Sequence, residues 1–314
     1  MRLYEREAIA AAASGRNSGV LQHPLDEVLV PVHEVSLGLY AALGYGFESP
    51  AEPAGLLVLS EDGEALAAAH ADVASRFPEL EAEWLEGAAL AEAEPGLGEG
   101  LFAVRQSTGR TVPPAAATRA WAERARDAGA EVRVGEVVED VSALGAGAVV
   151  VAAGPWTPAL AGPRLPIGPV WGVNVEVRLP DPPRHVLEEA GVEDIAEEPP
   201  ESVFSIVTAG GVSAAGSTFL REEPDPGEWA PRLLERGARF VPALRDAEWS
   251  ARACPRPQSR DGRPLLGELA DGLWLASGHG PWGISLGPGS AQLVAEAILR
   301  GAAIPPELAA SRFA

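Results

Sequence analysis

"WLASGHGPWGISLGPGSAQLVAEAIL", residues 274–299, joins an apolar strand to a helix through a run of glycines. Leu273 to Ala276 reads as a buried strand and Gly278-His279-Gly280-Pro281-Trp282-Gly283 as the turn, with a helix expected from about Pro288. Glycines let a backbone approach a flat ligand closely, because no Cβ stands in the way. The free N–H groups at a helix start favour partial negative charge, such as a ring carbonyl. Taken alone, the pattern also suits a strand-to-helix turn with no ligand.

Composition narrows the choice. The 314 residues can bury one large core or two modest ones. The apolar fraction of 46% is ordinary, and no stretch reaches the ~18 apolar residues of a membrane span. No charged segment followed by an apolar one opens the sequence, so no secretory signal is expected. Cys254 is the one cysteine, which excludes an internal disulfide and fits a reducing compartment, with a cytoplasmic location expected. With a net charge of −21 the surface repels phosphate backbones and anionic lipid, so neither nucleic acid nor membrane is an expected partner. All 24 basic residues are arginine, which removes lysine Schiff bases, P-loop lysines and lysine bases. The histidines lack metal-ligand spacing, so no metal site is expected. G-x-S-x-G is absent, which argues against a serine hydrolase.

Periodicity gives the organisation. Val32, Val35, Leu39 and Leu43 mark a helix, "GLLVLS" (55–60) a strand, and Gly63 to Phe77 an Ala-rich helix. The acid-rich stretch Glu79 to Glu99 reads as a solvated face of mixed helix and loop. A helix opened by Pro113-Pro114 and stopped at Gly129 leads into "EVRV", then "VVEDV" (137–141) and "GAVVVAAG" as strands, the last of a buried parallel type. Residues 166–221 alternate with period two, and "EWAPRLLERGARFVPAL" is helical. The expected fold is α/β: a discontinuous Rossmann-like nucleotide domain (1–43, 109–166, 252–314) interleaved with a β-rich α+β substrate domain (44–108, 167–251).

At the front, Arg2 to Tyr4 reads as a short strand closed by Glu5, followed by a loop, Ser14-Gly15-Arg16-Asn17-Ser18-Gly19, with donors suited to an anion. In dinucleotide sites such an acid holds a ribose hydroxyl about 20 residues after a Gly-rich phosphate turn. "LYEREAIAAAASGRNSGV", "GRTVPPAAATRAWAERARDAGAEVRVGEVV", "VVVAAGPWTPAL" and "RPQSRDGRPLLGELADGLWLASGHGPWGI" occur in the order of a known family. The chain resembles the FAD-dependent amine and amino-acid oxidases, which include glycine oxidase, D-amino-acid oxidase and sarcosine oxidase.

The resemblance implies FAD as cofactor and a small-molecule amine or amino acid as substrate. It matches Glu5, with Arg6 beside it, to the ribose-binding acid. Ala13, Ser14, Ser18, Gly19 and Val20 match the loop running past the pyrophosphate to the flavin, and Val137 or Val138 the residue meeting adenine. Gly154 with Trp156 matches a close backbone approach. His279, Gly280, Pro281, Trp282, Gly283 and Ile284 match the segment under the flavin ring, preceded by Gly278. Arg256 matches the arginine that pairs with substrate carboxylate, with Arg252 and Arg260 as neighbouring alternatives. A planar guanidinium suits that task physically. Trp171, Asn174 and Phe204 are pocket candidates that also suit plain core packing.

Two departures stand out. The family's first strand and Gly-rich turn are absent before Glu5. The expectation is a start codon placed too late, and poor FAD binding by the chain as written, with strand edges left unpaired. The oxygen-activating lysine of sarcosine oxidases is also absent; His279 or an arginine stands in for it, or another acceptor takes the electrons. Cys254 resembles the covalent flavin-linking cysteine of monomeric sarcosine oxidase, against the alternative of a buried hydrophobe. Three functions follow: oxidation of a C–N bond, flavin oxidation of a 2-hydroxy acid, or a non-catalytic subunit. An oligomer is compatible with each.

Overall fold

The computed structural model describes residues 1–43, 52–191 and 201–313. The chain opens with β1 (Arg2–Glu5), α1 (Ala13–Arg16), β2 (Val20–Leu21), α2 (Val30–Leu43), β3 (Leu56–Ser60) and α3 (Gly63–Arg76). There follow β4 (Glu83–Glu86), α4 (Gly87–Ala93), β5 (Phe102–Gln106), β6 (Arg110–Thr111), α5 (Pro114–Asp127), β7 (Glu131–Val134), β8 (Val149–Val151) and α6 (Thr157–Ala161). The second half holds β9 (Ile167–Val177), β10 (Val186–Glu189), β11 (Ser202–Ala209), β12 (Val212–Thr218) and α7 (Pro226–Gly237). It ends with β13 (Trp249–Ser259), β14 (Leu265–Ala270), β15 (Leu273–Ser277) and α8 (Gly283–Arg300).

Period-two alternation builds an eight-stranded sheet, β13-β9-β12-β11-β10-β3-β5-β4. One face carries Leu57, Leu59, Val173, Val175, Leu187 and Ile206, packed with Leu233 and Leu234 of α7. Phe204 belongs to this face and stacks on Phe240 at 4.8 Å, so it is core rather than pocket. The alternate residues, among them Leu56, Val58, Asn174, Glu188 and Ser205, turn to the opposite side and line a cavity. β13 straddles the expected boundary at 251/252 and pairs with β9 along its length, from Trp249 to Ser259. The acid-rich stretch is more than a solvated face: it contributes the edge strand β4 and buries Leu80, Leu85 and Leu90.

Besides a short antiparallel β2–β6 pair, two smaller sheets complete the cavity's surround. β1 pairs in parallel with β7, and β8 pairs in parallel with β15, which is antiparallel to β14. Among the described residues β1 and β8 each pair with one strand, and residues of both line the cavity. "VVEDV" forms no strand; Asp140 caps a short 3-10 turn over Val141–Leu144 through the Ser142 N–H and hydroxyl.

α8 begins at Gly283, earlier than expected, and contains Pro288 within it. Proline has no N–H for the carbonyl four residues back, which here is that of Ile284. The Tyr40 hydroxyl of α2 donates to that carbonyl at 3.2 Å. One residue on, the Gly289 amide donates to Ser36 Oγ at 2.9 Å, and His33 Nδ1 stands 3.4 Å from the Ser285 carbonyl. A Cβ on Gly289 would lie 2.2 Å from the Val32 carbonyl oxygen, so only glycine allows this approach. The repair explains α2: its buried face is Val32, His33, Ser36, Tyr40 and Leu43, whereas Val35, expected inward, is 39% exposed.

Candidate active site

A cavity of about 2220 Å³ runs between the small sheets and the large one. That exceeds the ~300–1,000 Å³ of a drug-sized ligand pocket, leaving room for a dinucleotide and a further small molecule.

At one end, the Glu5 carbonyl accepts from the Gly135 and Glu136 amides at 2.8 and 3.1 Å, which brings Glu5 beside Val137 and Val138. All three line the cavity, and Val137 is 65% exposed. The Arg6 guanidinium lies 3.8 Å over the Trp156 ring, closing this end from Glu5 to the Gly154 turn. That turn is fixed from below: the buried Thr157 hydroxyl donates to Ser277 Oγ at 3.0 Å, and Ser277 to the Gly154 carbonyl at 3.1 Å.

Ala13, Ser14, Ser18 and Val20 also line the cavity. The loop's strongest donors, however, are engaged elsewhere. Asn17 Nδ2 donates to the Ala13 and Ser14 carbonyls, its Oδ1 accepts from Gly19, and Arg16 reaches the Ala253 carbonyl at 3.4 Å. The expected anion grip is therefore reduced to hydroxyls and backbone. Gly19, at φ +86°, shapes the turn and lies off the wall, as does Gly278, packed on Leu265 and Ser259.

His279 to Ile284 form the far side of this half and run into the first turn of α8. Burial pulls the His279 imidazole down to about 4, so it is neutral at pH 7, and its Nε2 sits 3.0 Å from Ser290 Oγ. Ser285 Oγ, at the start of α8, accepts from the Gln22 amide at 3.0 Å and ties the Val20 loop to the helix. Cβ atoms placed on Gly154 or Gly287 would meet no protein atom within 4 Å, so both leave open space on the wall.

The large sheet supplies the charged groups. Arg256 is half-buried; it donates through NH1 to the Thr218 carbonyl at 2.8 Å and through NH2 to Ser217 Oγ, and lies 4.7 Å over the Phe219 ring. Among the described residues no carboxylate pairs with it. Its neighbours are accounted for otherwise: Arg252 pairs with Glu176, and Arg260 lies 5.2 Å over Phe313. Asn174 lines the cavity and Trp171 does not. Cys254 lines it too, buried, with its thiol pushed up by burial against the opposing pull of Arg256, Arg252 and Arg16. Ser217, Phe219 and Glu188 went unread in the sequence; the alternation around Phe204 and Ser205 was the signal that assigns faces.

These residues fit the cofactor implied by the resemblance at its two ends: an acid and an aromatic–guanidinium pair at one, amides of a helix start at the other. A family model described as FAD dependent oxidoreductase (DAO) matches residues 1–297. Glycine oxidase of Geobacillus kaustophilus is 36% identical over 161 residues, 49% of this chain and 41% of that protein. A D-amino acid dehydrogenase of Sinorhizobium medicae is 30% identical over 237 residues, 66% of this chain and 54% of that protein. The matched stretches thus span about half the length of these curated relatives. The crystal structure of the Geobacillus kaustophilus glycine oxidase superposes with a TM-score of 0.85 at 26% identity, covering 99% of this chain and 91% of that one. Among the described residues no helix is long and apolar enough to cross a membrane. The chain belongs to the DAO family of FAD-dependent oxidoreductases.

Proposed function

We propose that this protein holds FAD along the cavity and oxidises the C–N bond of a small amino acid or secondary amine. The observation that carries the reading is Arg256: a half-buried guanidinium, without a carboxylate partner among the described residues, on the same cavity as the His279–Ile284 segment. FAD, when bound, supplies the acceptor for a hydride from the substrate's Cα. The chain supplies orientation and electrostatics. Arg256 grips the carboxylate, and the carbonyl of Thr218 and the ring of Phe219 keep the guanidinium from turning away. Amides at the α8 start favour the negative charge that reduction brings. Neutral His279 adds no charge there. A substrate bound as the free amine needs no base from the protein, and the imine product is hydrolysed in water.

The test is a titration of the purified protein with FAD, followed by visible absorption under anaerobic conditions. Addition of glycine, sarcosine or a D-amino acid should bleach the bound flavin band, and a dye acceptor should restore it. Bleaching by 2-hydroxy acids alone would transfer the same site to C–O oxidation. Failure to bind added FAD would leave a non-catalytic role.

A further inference from the structure

Arg256 reaches its partners by crossing a neighbouring strand, and one residue leaves the room for it. The register sets Cys254 of β13 opposite Gly172 of β9, and Arg256 opposite Val170. The groups that hold the guanidinium, the Thr218 carbonyl and Ser217 Oγ, belong to β12, and β9 lies between β13 and β12. The side chain therefore lies across β9, and it does so at Gly172. A Cβ on Gly172 would stand within 2.6 Å of NH1, NH2 and Cζ of Arg256. Those are the three atoms nearest to it, so an added methyl displaces the end of a flexible side chain and leaves the backbone in place. Gly172 sits in a strand with extended backbone, a conformation that any residue adopts. The far anchor does not give way. Thr218 is fully buried, and its hydroxyl accepts from the Val173 amide at 2.9 Å and donates to the Trp171 carbonyl at 3.1 Å. These two groups flank Gly172, so the carbonyl that receives the guanidinium is stitched to the strand the guanidinium crosses.

We propose that Gly172 is a positioning residue: by carrying no side chain it seats the Arg256 guanidinium across β9, where it presents one fixed set of donors to a substrate carboxylate. This rests on the reading that Arg256 receives the carboxylate. A methyl at this position takes the guanidinium off Thr218 and Ser217 and removes that fixed direction. Binding tests the role independently of turnover. The full chain with FAD added is titrated by calorimetry with propanoate and with propanamide, its neutral counterpart of similar shape. Gly172→Ala should weaken propanoate binding roughly tenfold, the worth of one hydrogen bond to a charged group, and leave the affinities for propanamide and FAD unchanged. In an Arg256→Gln background the same change should have almost no further effect on propanoate, because the group it displaces is gone. An unchanged propanoate affinity in Gly172→Ala overturns the proposal. So does an equal loss for both ligands, or a loss that persists in the Arg256→Gln background, since each marks a merely structural glycine. If Arg256→Gln alone leaves propanoate affinity unchanged, the docking of carboxylate on Arg256 is what fails, and the positioning role fails with it.

Discussion

The wall formed by residues 279–284 and the start of α8 presents glycines, amides and a neutral imidazole; the wall formed by the large sheet presents a guanidinium among polar side chains. The first needs no side chain to be right, only the absence of several. The second draws its polar groups from β9, β10, β12 and β13 and depends on alternation holding across all of them. In the proposed reading the flat cofactor ring is met by backbone, and the substrate by side chains on the sheet.

The largest expected effect probes the first wall. His279 has a pKa of about 4 in the folded protein against 6.5 unfolded, because burial disfavours the imidazolium. As pH falls, the unfolded chain takes up the proton first, so this group's contribution is complete above pH 6.5 and is lost between 6.5 and about 4, some ~3 kcal/mol. His33 is shifted alike and doubles the slope. Melting temperature against pH should show the loss, and His279→Gln should roughly halve it, His33 supplying the rest; an unchanged curve would mean the His279 imidazole is solvated.

Next comes the second wall. Arg256→Gln should lower kcat/KM by roughly a hundredfold through loss of a charge-assisted hydrogen bond, with FAD affinity retained. If FAD affinity falls instead, the two walls are not separate in function. Gly280→Ala tests the reverse: at φ +54° its Cβ would stand 2.4 Å from Gln258 Oε1. The Gln258 side chain can swing aside, so the expected destabilisation of about 1–2 kcal/mol comes from the left-handed backbone, with cofactor affinity falling more than substrate affinity. The smallest effect concerns Cys254. Its buried thiol disfavours the thiolate, so acid precipitation should leave all the flavin colour in the supernatant.

Much of the first wall was legible. Residues 274–299 announce strand, turn and helix because glycine and apolar runs act locally, and only the helix start was misplaced, since Pro288 reads as a beginning. Its missing hydrogen bond is supplied by Tyr40, some 250 residues earlier, which no local pattern reveals. The same remote partnership moved the buried face of α2 from Val35 to Ser36. Arg256 was legible through motif resemblance, and its place on the cavity wall, held by Thr218 and Phe219, distinguished it from Arg252 and Arg260. Gly172 was not, because its importance lies in cross-strand register, and "VWGVNV" says nothing of which strands flank it.

The proline repair carries one more consequence. His33 and Ser36 do not line the cavity, yet with Tyr40 they hold the first turns of α8, whose start lines it. Substitutions in α2 should therefore be inherited jointly with compensating ones near Gly289, and a chimera that exchanges α2 alone between relatives should lose cofactor grip while its active-site residues stay untouched.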